Sequence, residues 1–165
     1  VNGANQARGS KLDYNVLDRT YKLSGPNASA TSPDGEMTAT TSITYDEKNL
    51  DRQEVIAIGG ARYYHSDGRT IHGDRLVAYL DATGSLISID AFGNTKVVTT
   101  QGTTATADKL NYVASTAMAN LFGNVEIIDQ DNVMRGARAE VDFDKDISRM
   151  LSDGAQKRVS GVLTP

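Results

Sequence analysis

Apolar and polar residues alternate with period two along most of this chain. In the stretch from Lys109 to Ala114, Leu110, Tyr112 and Ala114 share one parity, while Lys109 and Asn111 occupy the other. That is the pattern of a strand with one buried and one wetted face. No segment sustains the 3.6-residue period of an amphipathic helix, so strands are predicted throughout.

The strand phrase recurs. It reads roughly Ala-Asp-Lys-Leu-x-Tyr and is found at Ser10-Lys11-Leu12-Asp13-Tyr14, Thr41-Ser42-Ile43-Thr44-Tyr45, Asp74-Arg75-Leu76-Val77-Ala78, Asp108-Lys109-Leu110-Asn111-Tyr112 and, more weakly, Ala137-Arg138-Ala139-Glu140-Val141. The anchors Leu12, Ile43, Leu76, Leu110 and Ala139 stand 29 to 34 residues apart. A second marker keeps the same beat: Gly25, Gly60, Gly93, Gly123 and Gly154. Two markers in phase point to tandem repeats. Within a copy, the phrase is followed by a turn, a strand ending in Gly such as Ala119 to Gly123, and a third strand such as Asn124 to Ile127. About three strands per copy are predicted. Turn signals fall between the apolar runs at Pro33-Asp34-Gly35, Ser66-Asp67-Gly68, Ala82-Thr83-Gly84, Gln101-Gly102 and Asp131-Asn132. The Ser-, Pro- and Asn-rich stretch from Asn27 to Asp34 reads as a loop. No linker interrupts the phase from residue 10 to 154, which predicts one elongated domain over residues 1–165.

A unit of this size cannot bury its apolar face alone, so the units must stack, and stacking merges their faces into one strip. The strip comprises Leu12, Tyr14, Ile43, Tyr45, Leu76, Ala78, Leu110, Tyr112 and Ala114, with Val97, Val125 and Ile127 as neighbours from adjoining strands. If two sheets face each other, these side chains line the space between them. They either fill a closed sandwich core or border a lipid-sized groove. Aromatic content of 6% with no Trp is low for a tightly filled core of 165 residues and leans toward the groove.

Composition narrows the chemistry. A formal charge of −4, a pI near 5.1 and the absence of any basic run argue against a nucleic-acid partner. With no cysteine, disulfides, zinc–thiolate sites and Cys nucleophiles are excluded together. No apolar run reaches the roughly 18 residues of a membrane-spanning helix. The polar opening Val1-Asn2-Gly3-Ala4-Asn5 is no signal peptide, as in a mature exported product. His65 and His72 flank the turn at Ser66-Asp67-Gly68 and, with Asp74, could face each other as metal ligands, although two surface imidazoles are the simpler account. The carboxylates of Asp129, Asp131, Asp144 and Asp146 are scattered among turns, and no strand groups them into a glycosidase pair. Neither a catalytic residue nor a cofactor is expected.

The closing segments carry a resemblance. Thr106-Ala107-Asp108-Lys109-Leu110-Asn111-Tyr112, Gly123-Asn124-Val125, Gly136-Ala137-Arg138-Ala139-Glu140-Val141, Ser152-Asp153-Gly154 and Lys157-Arg158-Val159-Ser160-Gly161-Val162-Leu163-Thr164-Pro165 together resemble the OstA-like family. The resemblance is close over the last 60 or so residues and looser back to residue 10. It implies an all-β fold, a twisted, V-shaped β-jellyroll of two antiparallel sheets in the periplasm. Such a fold would hold the lipid A acyl chains of lipopolysaccharide between its sheets. It further implies a bridge between an LptC-like inner-membrane partner and an LptD-like outer-membrane partner, built from jellyrolls that meet head to tail, with copies of the chain able to stack on each other. Strand addition at the exposed ends would make that contact, with Arg158, Val159, Val162 and Leu163 as the C-terminal edge. The alternatives are the OstA-like periplasmic domain of LptC or LptD, or a structural β-repeat module with a closed core.

Overall fold

A computed structural model of the chain describes residues 6–151 and 160–162. Six short strands come first: β1 (Gln6–Arg8), β2 (Lys11–Asn15), β3 (Thr20–Ser24), β4 (Ala28–Ser32), β5 (Gly35–Ala39) and β6 (Ser42–Asp46). Six long strands follow: β7 (Gln53–His65), β8 (Thr70–Leu80), β9 (Leu86–Val98), β10 (Thr104–Val113), β11 (Met118–Asp129) and β12 (Asn132–Asp142). They are succeeded by β13 (Ile147–Leu151) and β14 (Ser160–Val162). A single 3-10 turn at Ala114–Thr116 interrupts this all-β order among the described residues.

The long strands do not run straight. The pairing register shifts between Ile58 and Ala61, between His72 and Arg75, between Ala107 and Lys109, and between Phe122 and Val125. Each strand is thereby divided into two arms. The first arm of β7 pairs with β6, which pairs with β3 and then β2. Its second arm pairs with β5, which pairs with β4 and then β1. At the far end the same division recurs, because Arg138–Asp142 of β12 pairs with β13 and Val133–Arg135 pairs with β14. The result is two antiparallel leaves that share six bent strands, a β-jellyroll whose apolar faces turn toward each other across one continuous core.

Local chemistry fixes the bends. At Gly123 and Asn124 the backbone enters the left-handed region, with φ of +77° and +48°. The Asp108 carboxylate on β10 lies against this bend: it accepts a 2.8 Å hydrogen bond from Asn124 Nδ2, and a Cβ on Gly123 would stand 2.5 Å from Asp108 Oδ2. The preceding pair of strands repeats this arrangement. Asn94 Nδ2 donates to Asp74 Oδ2 at 2.9 Å, and a Cβ on Gly93 would again stand 2.5 Å from that oxygen. Only glycine meets both demands, positive φ and no side chain. On the outer side of the bends, Arg75, Phe92, Lys109, Phe122 and Arg138 follow one another across neighbouring strands. Arg75 and Lys109 lie 5.7 and 5.3 Å from the Phe92 ring centre, and Arg138 lies 5.2 Å from that of Phe122.

These bends correct the expected repeat. A copy contributes two long strands, not three short ones, because Gly60, Gly93 and Gly123 mark bends inside strands. The stretch expected as a loop also contains β4, with Ala28 and Ala30 turned inward and Ser29 and Thr31 outward. Its alternation is carried by residues so small that the hydrophobic contrast almost vanishes. Gly154 lies outside the described residues.

The bend makes a testable claim about stability. Gly123→Ala should destabilise the chain by about 1–3 kcal/mol through the left-handed backbone alone, with the contact to Asp108 adding to it. In an Asp108→Ala background the same substitution should cost less, because the contact is gone. Urea denaturation of the four proteins measures the coupling. Equal cost in both backgrounds would show that backbone conformation accounts for the whole effect.

Candidate functional site

The core between the leaves is organised as rows of cross-strand neighbours. In one leaf, Leu12, Leu23, Ile43, Ala57, Leu76, Ala91, Leu110, Leu121, Ala139 and Met150 are directly opposed in succession from β2 to β13. Beside it run Tyr14, Tyr21, Tyr45, Val55, Ala78, Ile89, Tyr112, Ala119 and Val141. The facing leaf supplies Ala30, Met37, Tyr63, Ile71, Val97, Ala105, Ile127 and Met134. Large residues alternate with alanines, so side chains from opposite leaves interdigitate.

Of the strip expected from sequence, Ile43, Leu76, Ala78, Val97, Leu110, Tyr112, Val125 and Ile127 are buried in this core, and Tyr45 and Ala114 are half-buried against it. Leu12 and Tyr14 lie outside it, at 62% and 51% exposure. They keep their register in the two rows, but β2 pairs with β3 alone and no other described strand closes over them. Tyr14 stacks on Tyr21 at 4.4 Å between ring centres, and Tyr21 approaches Tyr45 at 6.2 Å. Each row therefore passes from buried to exposed at the β2 end. Of the expected C-terminal edge, Arg158, Val159 and Leu163 lie outside the described residues. Val162 pairs with Val133 through β14.

The expected strip left out Met37, Tyr63, Ile71, Ile89, Leu121, Phe143 and the buried alanines 57, 91, 105, 107 and 119, and also Ala139 and Val141 of the weak fifth phrase. The signal was present, since Ile89 and Ala91, Ala119 and Leu121, and Ala139 and Val141 obey the same alternation. A search tied to one repeated phrase passes over its partner strands.

At one end of the core a cleft of about 550 Å³ opens between the turns. Leu86, Ile87, Val113, Ala114 and Ala117 give it an apolar wall, while Asp34, His65, Arg69, Ser85, Ser115 and Asp144 line its polar side. Tyr112 belongs to both cleft and core. Between them stands a stopper of side chains. The Arg69 guanidinium lies 5.1 Å from the centre of the Phe143 ring, which meets Tyr112 edge-on at 5.6 Å. Asp67 holds the stopper in place, pairing with His65 Nδ1 at 2.7 Å and Arg69 Nε at 2.5 Å. A void of about 10 Å³ remains behind it, lined by Tyr63, His65, Arg69, Ile71, Tyr112 and Phe143.

The electrostatics follow from this packing. Burial would raise the Asp67 carboxyl, yet hydrogen bonds from the Arg69 backbone and the His65 side chain, with the Arg69 guanidinium beside it, hold it below its usual range. Burial pushes the phenols of Tyr63 and Tyr112 up, so both stay neutral. His65 and His72 do not face each other. His65 turns toward the cleft, whereas His72 stands opposite Arg62 on the outer surface and Asp74 is engaged by Asn94. Among the described residues no three metal-ligating side chains converge.

Because the Asp67 carboxyl is depressed in the folded chain, its contribution is present above the ordinary carboxylate value of 3.8 and is lost as pH falls below it. Near-ultraviolet circular dichroism of the Tyr63, Tyr112 and Phe143 cluster should change on acidification below about pH 4. Asp67→Asn should show the acid spectrum already at neutral pH. A spectrum insensitive to both would mean that Asp67 does not hold the stopper.

A family model described as LptA/(LptD N-terminal domain) LPS transport protein matches residues 55–147, from the first arm of β7 to the start of β13. No curated protein matches the chain. Among solved structures, the chain is similar to LptH of Pseudomonas aeruginosa, described as the LptA homologous periplasmic component of a lipopolysaccharide transport device. The TM-score is 0.41 at 12% identity, over 98% of this chain and 95% of that one. The match of the family model to all six bent strands, more than half of the sequence, shows that the chain belongs to the LptA/(LptD N-terminal domain) family of lipopolysaccharide transport proteins.

Proposed function

We propose that this chain is a periplasmic lipopolysaccharide carrier that shields lipid A acyl chains between its two leaves and bridges inner- and outer-membrane export complexes. The observation that carries this reading is the unbroken apolar strip: its rows cross every bent strand, and they reach the surface at the β2 edge through Leu12 and Tyr14. A filled structural core has no need to emerge uncovered at one edge. Moving each CH₂ of an acyl chain from water onto such a strip is worth about 0.8 kcal/mol. Passage between similar strips is nearly isoenergetic, so direction must be supplied from outside. The role is that of a passive conduit, without catalysis.

Entry of a chain requires the leaves to part. The stopper of Arg69, Phe143 and Tyr112 is the place where parting costs least, because an open cleft already adjoins it. The lipid-contacting set is then Ile43, Tyr45, Leu76, Ala78, Val97, Leu110, Tyr112, Ala114, Val125 and Ile127, with Leu12 and Tyr14 continuing it toward the neighbouring jellyroll. Coupling would be by strand addition, with an LptC-like domain, an LptD-like domain or a second copy of this chain. A contact between unlike ends leaves one end free on every copy, which favours open stacks over closed dimers. The same fold serving as the periplasmic part of an LptD-type protein keeps the lipid and changes the neighbours.

The complete burial of Leu76, Ile89, Leu110 and Leu121 favours a second reading, a structural module with a permanently closed core. A photo-crosslinking residue at Tyr112, compared with one at Asn111, separates the two. Tyr112 is inside, whereas Asn111 donates to Asp90 on the outer face at 2.7 Å. Adducts with lipopolysaccharide are expected at position 112 and not at 111. Equal labelling of both, or none at 112, would favour the closed core.

A further inference from the structure

The outer face of the second leaf carries a charge arrangement that acyl binding does not use. Arg62 on β7 stands directly opposite His72 on β8, and His72 stands opposite Lys96 on β9. Adjacent strands are about 4.8 Å apart, so these cationic and ionisable groups form a row about 10 Å long. Hydroxyls continue it on either side, because Thr38 is the cross-strand partner of Arg62 and Thr106 that of Lys96. Arg62 also donates to the Tyr64 hydroxyl at 3.3 Å.

In a chain of net charge −4, two cations are set on either side of one imidazole, an arrangement that opposes charge on the ring unless an anion offsets it. Among the described residues none of the three forms an ion pair. The nearest carboxylate along the row, Glu126 beyond Thr106, is engaged by Arg135 at 2.6 Å. On the adjacent row Glu36 stands opposite Tyr64, outside ion-pair distance of Arg62. The His72 imidazole is held below its usual value, by partial burial first and then by repulsion from Arg62 and Lys96.

We propose that Arg62, His72 and Lys96 form a binding site for a phosphate group on the outer face of the second leaf, with the hydroxyls of Thr38, Tyr64 and Thr106 as flanking donors. The guanidinium offers a planar fork to two phosphate oxygens, the ammonium a point charge, and the imidazole a further donor once protonated. The phosphate could be free or could belong to a lipid headgroup at a membrane surface. The site lies on the face opposite to the acyl strip, so it does not rest on the carrier reading.

The test follows the His72 imidazole by NMR as inorganic phosphate is added, in parallel with sedimentation on phosphatidylcholine vesicles with and without phosphatidic acid. Phosphate should raise the His72 titration midpoint, since a bound anion favours the charged ring, and phosphatidic acid should increase vesicle binding. A response to phosphate alone assigns the site to the free anion, and a response to phosphatidic acid vesicles alone assigns it to a headgroup. In either case the double variant Arg62→Gln and Lys96→Gln, exposed positions that leave the core untouched, should weaken binding at least tenfold. The proposal is overturned if neither probe binds beyond the phosphatidylcholine control, or if the double variant binds as well as the parent.

Discussion

The contact between the Asp108 carboxylate and the bend at Gly123 and Asn124 is the constraint on which the remaining architecture depends. A strand as long as β11 would run flat if every residue kept an extended backbone. Two consecutive left-handed residues break it, and the carboxylate of the neighbouring strand occupies the space where a side chain would have stood. The same device, made from Asp74, Gly93 and Asn94, acts one hairpin earlier. Since all the long strands bend along one seam, the sheet closes on itself as two leaves. Without the seam the apolar rows would lie on one broad face open to water.

Closure then sets the interior. The two rows of the first leaf mix leucine, isoleucine and tyrosine with alanine, and the facing leaf mixes methionine, isoleucine, valine and tyrosine with alanine. This spacing lets side chains interleave without bulky aromatics at every position, which is how 165 residues with no tryptophan enclose a core. It also means that the leaves are held together mainly by non-directional apolar contact. Directional ties are concentrated at the open end, where Asp67 fixes His65 and Arg69 and Arg69 covers Phe143. A structure cohesive along its length but tied at one end by a few charged groups is suited to opening there first.

Much of this was legible in the sequence. The alternation identified strands, and the phrase containing Leu76 and Leu110 located one apolar row in its correct register, because period two is a direct consequence of the pleat. The glycine markers were found but misread, since a glycine at the end of a strand and one at a bend inside a strand look alike until the partner strand is known. What distinguishes them is the pairing of Asp108 with Asn124, a contact across the hairpin. The exposure of Leu12 and Tyr14 was equally hidden: their spacing matches that of buried residues, and what sets them apart is that no other described strand covers β2. The stopper at the mouth draws on Asp67, Arg69, Tyr112 and Phe143 from three separate segments, and no local motif announces it.

The seam has a consequence for how such a molecule can change size. The β8–β9 and β10–β11 hairpins each carry an Asp-to-Asn clamp and a share of every row, so each is a complete increment: two strands, about 9.6 Å of width in each leaf, and no alteration of the cross-section between the leaves. Gain or loss of one hairpin would lengthen or shorten the enclosed strip while leaving its bore unchanged. Reach and bore are therefore separate variables, the first set by the number of repeats and the second by the residues within one.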